Sequence, residues 1–127
     1  MENHGRTTLN TLLSIKAKRE RSLRLLFATY LQQEADLLER KNVLLDQRQQ
    51  HWESWRRLSG IEQQFSHDQF QIHKRTLASY GEEDIRFTEN LDQIKAEWQQ
   101  LQVSKSEQQS LLRKNLLEQE KLRMILE

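Results

Sequence analysis

A chain of 127 residues is long enough for one ordinary domain, yet only 35% of it is apolar. Typical globular domains carry about 45–50%, so a thick, rounded core is excluded. Twenty basic residues against nineteen acidic ones leave a net charge of +1, too small to hold nucleic acid by bulk electrostatics.

The chain has no cysteine, hence neither a disulfide framework nor a thiolate site, which suits a reducing cytoplasm. Its longest apolar stretches, such as LLFATYL at 25–31, fall far short of the roughly 20 residues a membrane span needs. The opening MENHGRTTLN lacks the charged-then-apolar order of a cleaved signal. The expectation is a soluble, cytosolic protein. Leu, Gln, Glu, Arg and Lys dominate, Pro is absent and Gly occurs three times, so helix is the default throughout.

The first arm is expected over about residues 8–58, after a polar leader containing Gly5. It begins with IKAKRERSLR, residues 15–24, where Lys16, Lys18, Arg19, Arg21 and Arg24 stand against Glu20 alone. Such a run reads either as a solvated helix face or as a docking surface for an acidic protein. Nucleic-acid binding would need a broader stripe and a steep fall of affinity with salt. From residue 30 a bulky pair returns every seven residues: Tyr30-Leu31, Leu37-Leu38, Leu44-Leu45, His51-Trp52. A seven-residue repeat marks a coiled-coil seam, here interrupted by Glu34, Lys41 and Arg48. The arm closes on Trp52, Trp55, Arg56 and Arg57.

Either Gly60 or Gly81 can turn the chain, and each has a capping pattern nearby, Ser66 with Gln69 and Ser79 with Glu82. In an antiparallel hairpin the numbers of facing residues add to a constant. A turn near Gly60 to Ser66 gives a sum of about 125, which sets Leu31 against Ile94, Leu38 against Phe87, Leu45 against Tyr80, Trp52 against His73 and Trp55 against Phe70. The same sum opposes Glu20 to Lys105, Glu39 to Arg86 and Lys41 to Asp84. A turn at Gly81 leaves the chain before about residue 35 without a partner. The second arm is therefore expected over about 66–127, with Gly81 a soft point within it. Its seam runs through Phe87, Leu91, Ile94, Trp98 and Leu101, weakens at Lys105, Gln108 and Asn115, and resumes at Leu112, Leu122 and Leu126.

These readings predict an all-α fold, a single long antiparallel two-helix coiled-coil hairpin, with arms of about 50 residues making a rod of roughly 75 Å. Arg113 and Lys114 would join the basic run at its open end. Trp52, Trp55, Phe65 and Phe70, beside Arg56, would crowd the tip. Two of these rings would close the hairpin, but a thin rod cannot bury every face of four, so a partner site is expected there.

Signals for catalysis are poor. The sequence has no Gly-rich phosphate loop, nucleophile elbow or HExxH, and no cofactor is implied. Antiparallel pairing would bring His51 near His73, seam-edge histidines being the plainer reading than a metal site. Glu82, Glu83 and Asp84 suit the start of a helical run and lack a desolvating cleft for acid–base work.

A cytosolic, Cys-free, Gln-rich hairpin that opens LLSIKAKRERSLR resembles the YscO/FliJ family of type III secretion stalk proteins, on Leu12, Ile15, Lys16, Arg19 and Glu20. The likeness spans nearly the whole chain in length and layout. It implies a stalk that associates with the hexameric secretion ATPase, engages the cytoplasmic domain of the export gate and, in some members, binds export chaperones. Lys16, Arg19, Glu20, Arg21, Arg24 and Arg113 would then belong to the ATPase-binding end. Trp52, Trp55, Arg56, Phe65 and Phe70 would belong to the gate-binding tip, although QRQQHWESW departs from the Tyr-bearing stretch of the flagellar relatives. The rival reading is a coiled-coil adaptor or holdase chaperone gripping apolar segments with its tip aromatics. A homo-oligomer whose arms pair between chains is a second rival.

Overall fold

A computed structural model describes residues 2–60 and 66–127. They form two α-helices, α1 (Glu2–Ser59) and α2 (His67–Leu126), packed antiparallel as an all-α hairpin. The helical reading therefore holds, and helix extends further than expected at the start. Thr7 and Thr8 return hydroxyl hydrogen bonds to the carbonyls of Asn3 and His4, and α1 runs from Glu2 rather than from about residue 8.

Of the two capping patterns, the structure uses Ser66 with Gln69. The Gln69 amide donates to Ser66 Oγ at 3.3 Å, and the Ser66 amide donates to Gln69 Oε1 at 3.0 Å. Each side chain satisfies an amide that the first turn would otherwise leave open. Asp68 adds negative charge at that end and Arg56 and Arg57 add positive charge at the end of α1, both favourable to the helix dipoles. At Gly60 an added Cβ would sit 3.1 Å from the Arg56 carbonyl, which accepts the Gly60 amide at 3.0 Å. A side chain there would crowd the closing turn. Ser79, Gly81 and Glu82 lie inside α2, which continues through them.

The contacts divide the chain into two units, Met1–Ala35 with Gln99–Glu127, and Asp36–Trp98. In the first unit Leu23 and Leu101 are buried, together with the polar Gln108, Asn115 and Gln119. In the second, Leu37 and Ile94 are buried. Of the five buried positions on α2, Ile94, Leu101, Gln108 and Asn115 recur every seven residues, the period of a left-handed coiled-coil seam, and Gln119 lies one turn after Asn115.

The register differs from the expected sum of 125. Facing partners in the first unit add to between 131, for Leu23 with Gln108, and 139, for Glu34 with Lys105. In the second they run from 131, for His51 with Tyr80, to 138, for His51 with Phe87. Glu20 consequently receives Gln119 rather than Lys105. Lys105 goes to Glu34 at 2.5 Å, and Asp84 goes to Arg48 and Trp52 rather than to Lys41.

The offset also changes which member of each bulky pair faces inward. Tyr30, Leu37, Leu44 and His51 turn toward the partner helix, whereas Leu31, Leu38 and Leu45 are 45%, 54% and 42% exposed. Sliding one periodic stripe along another by a heptad, or by three or four residues that exchange its two rows, restores apolar contact. Apolar pairing is therefore nearly degenerate, and polar pairs break the degeneracy. Glu34 accepts hydrogen bonds from Gln102 and Lys105, Lys16 pairs with Glu118 at 2.5 Å, Arg40 with Glu97 at 2.8 Å, and Gln108 donates to the Leu23 carbonyl.

These pairs hold three carboxyls below their usual range: Glu34 through Lys105 and then Gln102, Glu20 through Arg24 and then Gln119, and Glu118 through Lys16. A carboxyl depressed on folding supplies stability that is fully present above its unfolded value, about 4.3 for Glu, and is lost as pH falls through its folded value. Thermal melts followed by circular dichroism should therefore show this contribution constant above about pH 5 and falling away below about pH 4. Glu34→Gln should lower the melting temperature at neutral pH and flatten the acid loss. The register makes a second forecast. Leu37→Ala should cost about 2 kcal/mol or more in urea unfolding, while Leu38→Ala should stay within about 0.5 kcal/mol; equal losses would mean that the assigned inward face is wrong.

Candidate functional site

Two regions gather the side chains that sequence reasoning singled out. In the unit Asp36–Trp98, successive turns of α1 place His51, Trp52, Trp55 and Arg56 across from Tyr80, Gly81 and Asp84 of α2, leaving a groove of about 430 Å3 between them. The groove has a built wall. Trp52 Nε1 donates to Asp84 Oδ1 at 2.8 Å, and the Arg48 guanidinium lies 4.3 Å from the Trp52 ring centre with its Nε 3.5 Å from the same carboxylate oxygen. The indole is thus clamped between a cation on its face and an anion at its edge. Arg48 Nε makes no hydrogen bond, so its contact with Asp84 is an ion pair only.

His51 backs the groove. Its ring stacks on Tyr80 at 4.6 Å and tilts against Phe87 at 5.5 Å. Nε2 lies 2.9 Å from the Tyr80 carbonyl, and because a carbonyl only accepts, that nitrogen carries the hydrogen. Nδ1 lies 3.2 Å from Glu83. The ring faces Tyr80 and Phe87 instead of His73, and no group of three metal-binding side chains occurs among the described residues.

Of the five residues expected at the tip, Trp52, Trp55 and Arg56 meet at this groove. Trp55 is 45% exposed and Arg56 is exposed. Phe70 stands elsewhere in the same unit, exposed, with Lys74 Nζ 5.3 Å from its ring centre. Trp55 is therefore across from Tyr80 and Gly81 rather than Phe70. Phe65 lies outside the described residues. Sequence reasoning missed Arg48, Tyr80, Gly81 and Asp84 as groove-formers, since an offset of about ten in the register sum brings a different turn of α2 to Trp52. The seven-residue spacing of Tyr80, Phe87 and Ile94 was the available signal.

In the unit Met1–Ala35 with Gln99–Glu127, the basic residues separate by role. Lys16 is half-buried in its pair with Glu118, and Glu20 accepts Arg24 Nε at 2.7 Å and Gln119 Nε2 at 2.9 Å, so these two act as seam anchors. Arg19, Arg21 and Arg113 are exposed. At about 100° per residue, Arg19 and Arg21 leave the helix in nearly opposite directions. The basic run encircles α1 instead of forming one face. Arg113 borders a shallow dimple of about 300 Å3 on α2 with Leu112, Leu116 and Leu117.

The same stretch of α2, LLRKNLLEQEKLRMIL at 111–126, carries exposed Leu111, Leu116, Leu117, Met124 and Ile125 beside the half-buried Leu112, Leu122 and Leu126. The seam rows of the sequence do not mark this apolar surround, because it lies outside them. Among the described residues no helix is long and apolar enough to cross a membrane.

Comparison with known proteins gives no match to a family model, to a curated protein or to a solved structure.

Gly81 supplies a test of the groove. Its φ is not positive and a Cβ placed on it meets no described residue within 4 Å, so neither backbone conformation nor packing among the described residues requires a glycine. Gly81→Ala should raise stability by about 0.5–1 kcal/mol through backbone entropy, measured by urea unfolding. Destabilisation would show that the fold itself needs the glycine.

Proposed function

We propose that this chain is a non-enzymatic central-stalk component of a type III protein secretion apparatus, similar in role to the YscO/FliJ family. In this reading the first turns of α1 and the last turns of α2 sit within the secretion ATPase hexamer, and the Trp52–Trp55 region engages the cytoplasmic domain of the export gate. Export chaperones are further partners. The protein works at the cytoplasmic face of a bacterial secretion machine.

The observation that carries this reading is the apolar surround of residues 111–126. Leu112, Leu122 and Leu126 turn toward α1, yet Leu117, Met124 and Ile125, exposed by 53%, 67% and 66%, point away from it. A helix that is apolar on several sides belongs inside other protein. With Arg19 and Arg21 also leaving α1 in nearly opposite directions, a partner that surrounds this end accounts for the pattern better than a flat one. The lumen of a ring is such a partner. The stalk then acts by association alone, favouring some ring conformations by binding them more tightly than others.

The purified chain should change the assembly or turnover of the secretion ATPase while having no turnover of its own. Leu117→Asp with Met124→Asp should abolish that effect and shift the chain's own unfolding by no more than about 0.5 kcal/mol per site, as expected at exposed positions. An ATPase indifferent to the wild-type chain across a full titration would remove the proposal. The adaptor or holdase reading draws support from the exposed Trp55 and Phe70, and suppressed aggregation of unrelated unfolded proteins would favour it.

A further inference from the structure

We infer that the groove between Trp52, Trp55 and Gly81 is a docking site for one amphipathic helix of a partner protein, a helix that presents a bulky apolar side chain to the groove and a carboxylate one turn away. The inference stands on this unit alone and holds whether or not the secretion reading does.

Three observations converge on it. The first is Gly81. A glycine in a helix interior is less favourable than alanine by about 1 kcal/mol, and no described residue fills or crowds the space where its side chain would stand. A bare backbone at a groove lets a second backbone come close, since the separation of packed helices is set by the side chains between them.

The second is the apolar surface beside it. Trp52 and Trp55 line the groove on α1, and Leu45, one heptad before Trp52, is 42% exposed; on α2 Ile85, one turn after Gly81, is 60% exposed. From Leu45 to Trp55 this surface covers about 15 Å of α1, close to three turns of an incoming helix. Both walls are helices whose backbone groups are bonded internally, so they offer no edge to an added strand. A helix laid in a groove on i, i+3, i+4 and i+7 anchors is the matching mode.

The third is charge. Asp84 is already satisfied by Trp52 and Arg48, whereas the Arg56 guanidinium at the rim has no partner among the described residues. An anionic side chain on the incoming helix complements it, and the planar guanidinium suits a carboxylate in two-point contact. Binding anchors are enriched in Trp and Arg for these reasons. A second copy of the chain would bring a second Arg56 to a groove where the first has no partner among the described residues, which disfavours self-association here.

The test uses the full chain and two synthetic amphipathic helical peptides of about 14 residues. Both carry Leu and Phe at i, i+3, i+4 and i+7, and one flanks them with Glu where the other has Lys. Binding is followed by titration calorimetry and by Trp fluorescence. The Glu peptide should bind in the micromolar range and at least tenfold tighter than the Lys peptide. Gly81→Leu, which fills the groove, and Ile85→Asp, at an exposed position that leaves the helix intact, should each weaken it at least tenfold with helicity unchanged. Arg56→Glu should reverse the preference between the peptides. Equal affinity for the two peptides, no binding by either, or binding that survives both Gly81→Leu and Ile85→Asp would overturn the inference. So would a dimer of the wild-type chain, seen by sedimentation, that Gly81→Leu dissolves, because the occupant would then be a second copy.

Discussion

A seam two positions wide per heptad must also carry the charges that cross it, and everything else in this fold depends on how those charges are met. Glu34 sits with about a fifth of its side chain exposed, and Lys105 with slightly less. Either of them, left alone in such a place, would be costly. Together, with Gln102 as a further donor to Glu34, they occupy the seam in only one alignment of the arms. Gln119 does similar work lower in the same unit by donating to Glu20 and to Asn115. Apolar contacts supply most of the attraction between the helices, but they accept many alignments, whereas paired polar groups accept one.

That selectivity has a thermodynamic counterpart. Among the described residues only Leu23, Leu37, Ile94 and Leu101 are both apolar and buried, while Arg48 Nε and Gln108 Oε1 are buried without hydrogen bonds. A seam of this kind fixes register at the expense of strength. Large apolar side chains meanwhile remain outside: Leu38, Trp55 and Ile85 in one unit, Leu117, Met124 and Ile125 in the other. A hairpin alone has no third layer with which to cover them. Covering these side chains would take surface from outside the hairpin, which is the ground on which an associative role is proposed.

The aromatic groove is held by a few side-chain contacts between the two helices. Trp52 is placed by Asp84 and Arg48, not by a ring facing it. Its neighbour Trp55 is left half in solvent, and the glycine opposite keeps the space open. Trp52, Trp55 and Arg56 could be singled out from the sequence because bulky aromatic and guanidinium groups near a turn exceed what two helices can cover. Tyr80, Gly81 and Asp84 could not be assigned to them, because a periodic pattern states the period of the bulky rows but neither which of two adjacent rows faces inward nor which turn meets which.

The sequence by itself determined that the chain is helical, that a helix can start at Ser66 with Gln69, and that its bulky residues recur every seven residues. Helix propensity, the Ser66–Gln69 cap and the seven-residue period are local properties, each readable within a few neighbouring residues. Only the tertiary structure decided the alignment of the arms, and with it the inward turn of Leu37 over Leu38, the partners of Glu20 and Lys105, and the residues that enclose the groove. The physical reason is that apolar stripes of equal period attract one another almost equally at many offsets. The choice among those offsets rests on long-range polar pairs such as Glu34 with Lys105, whose geometry exists only once both helices are in place.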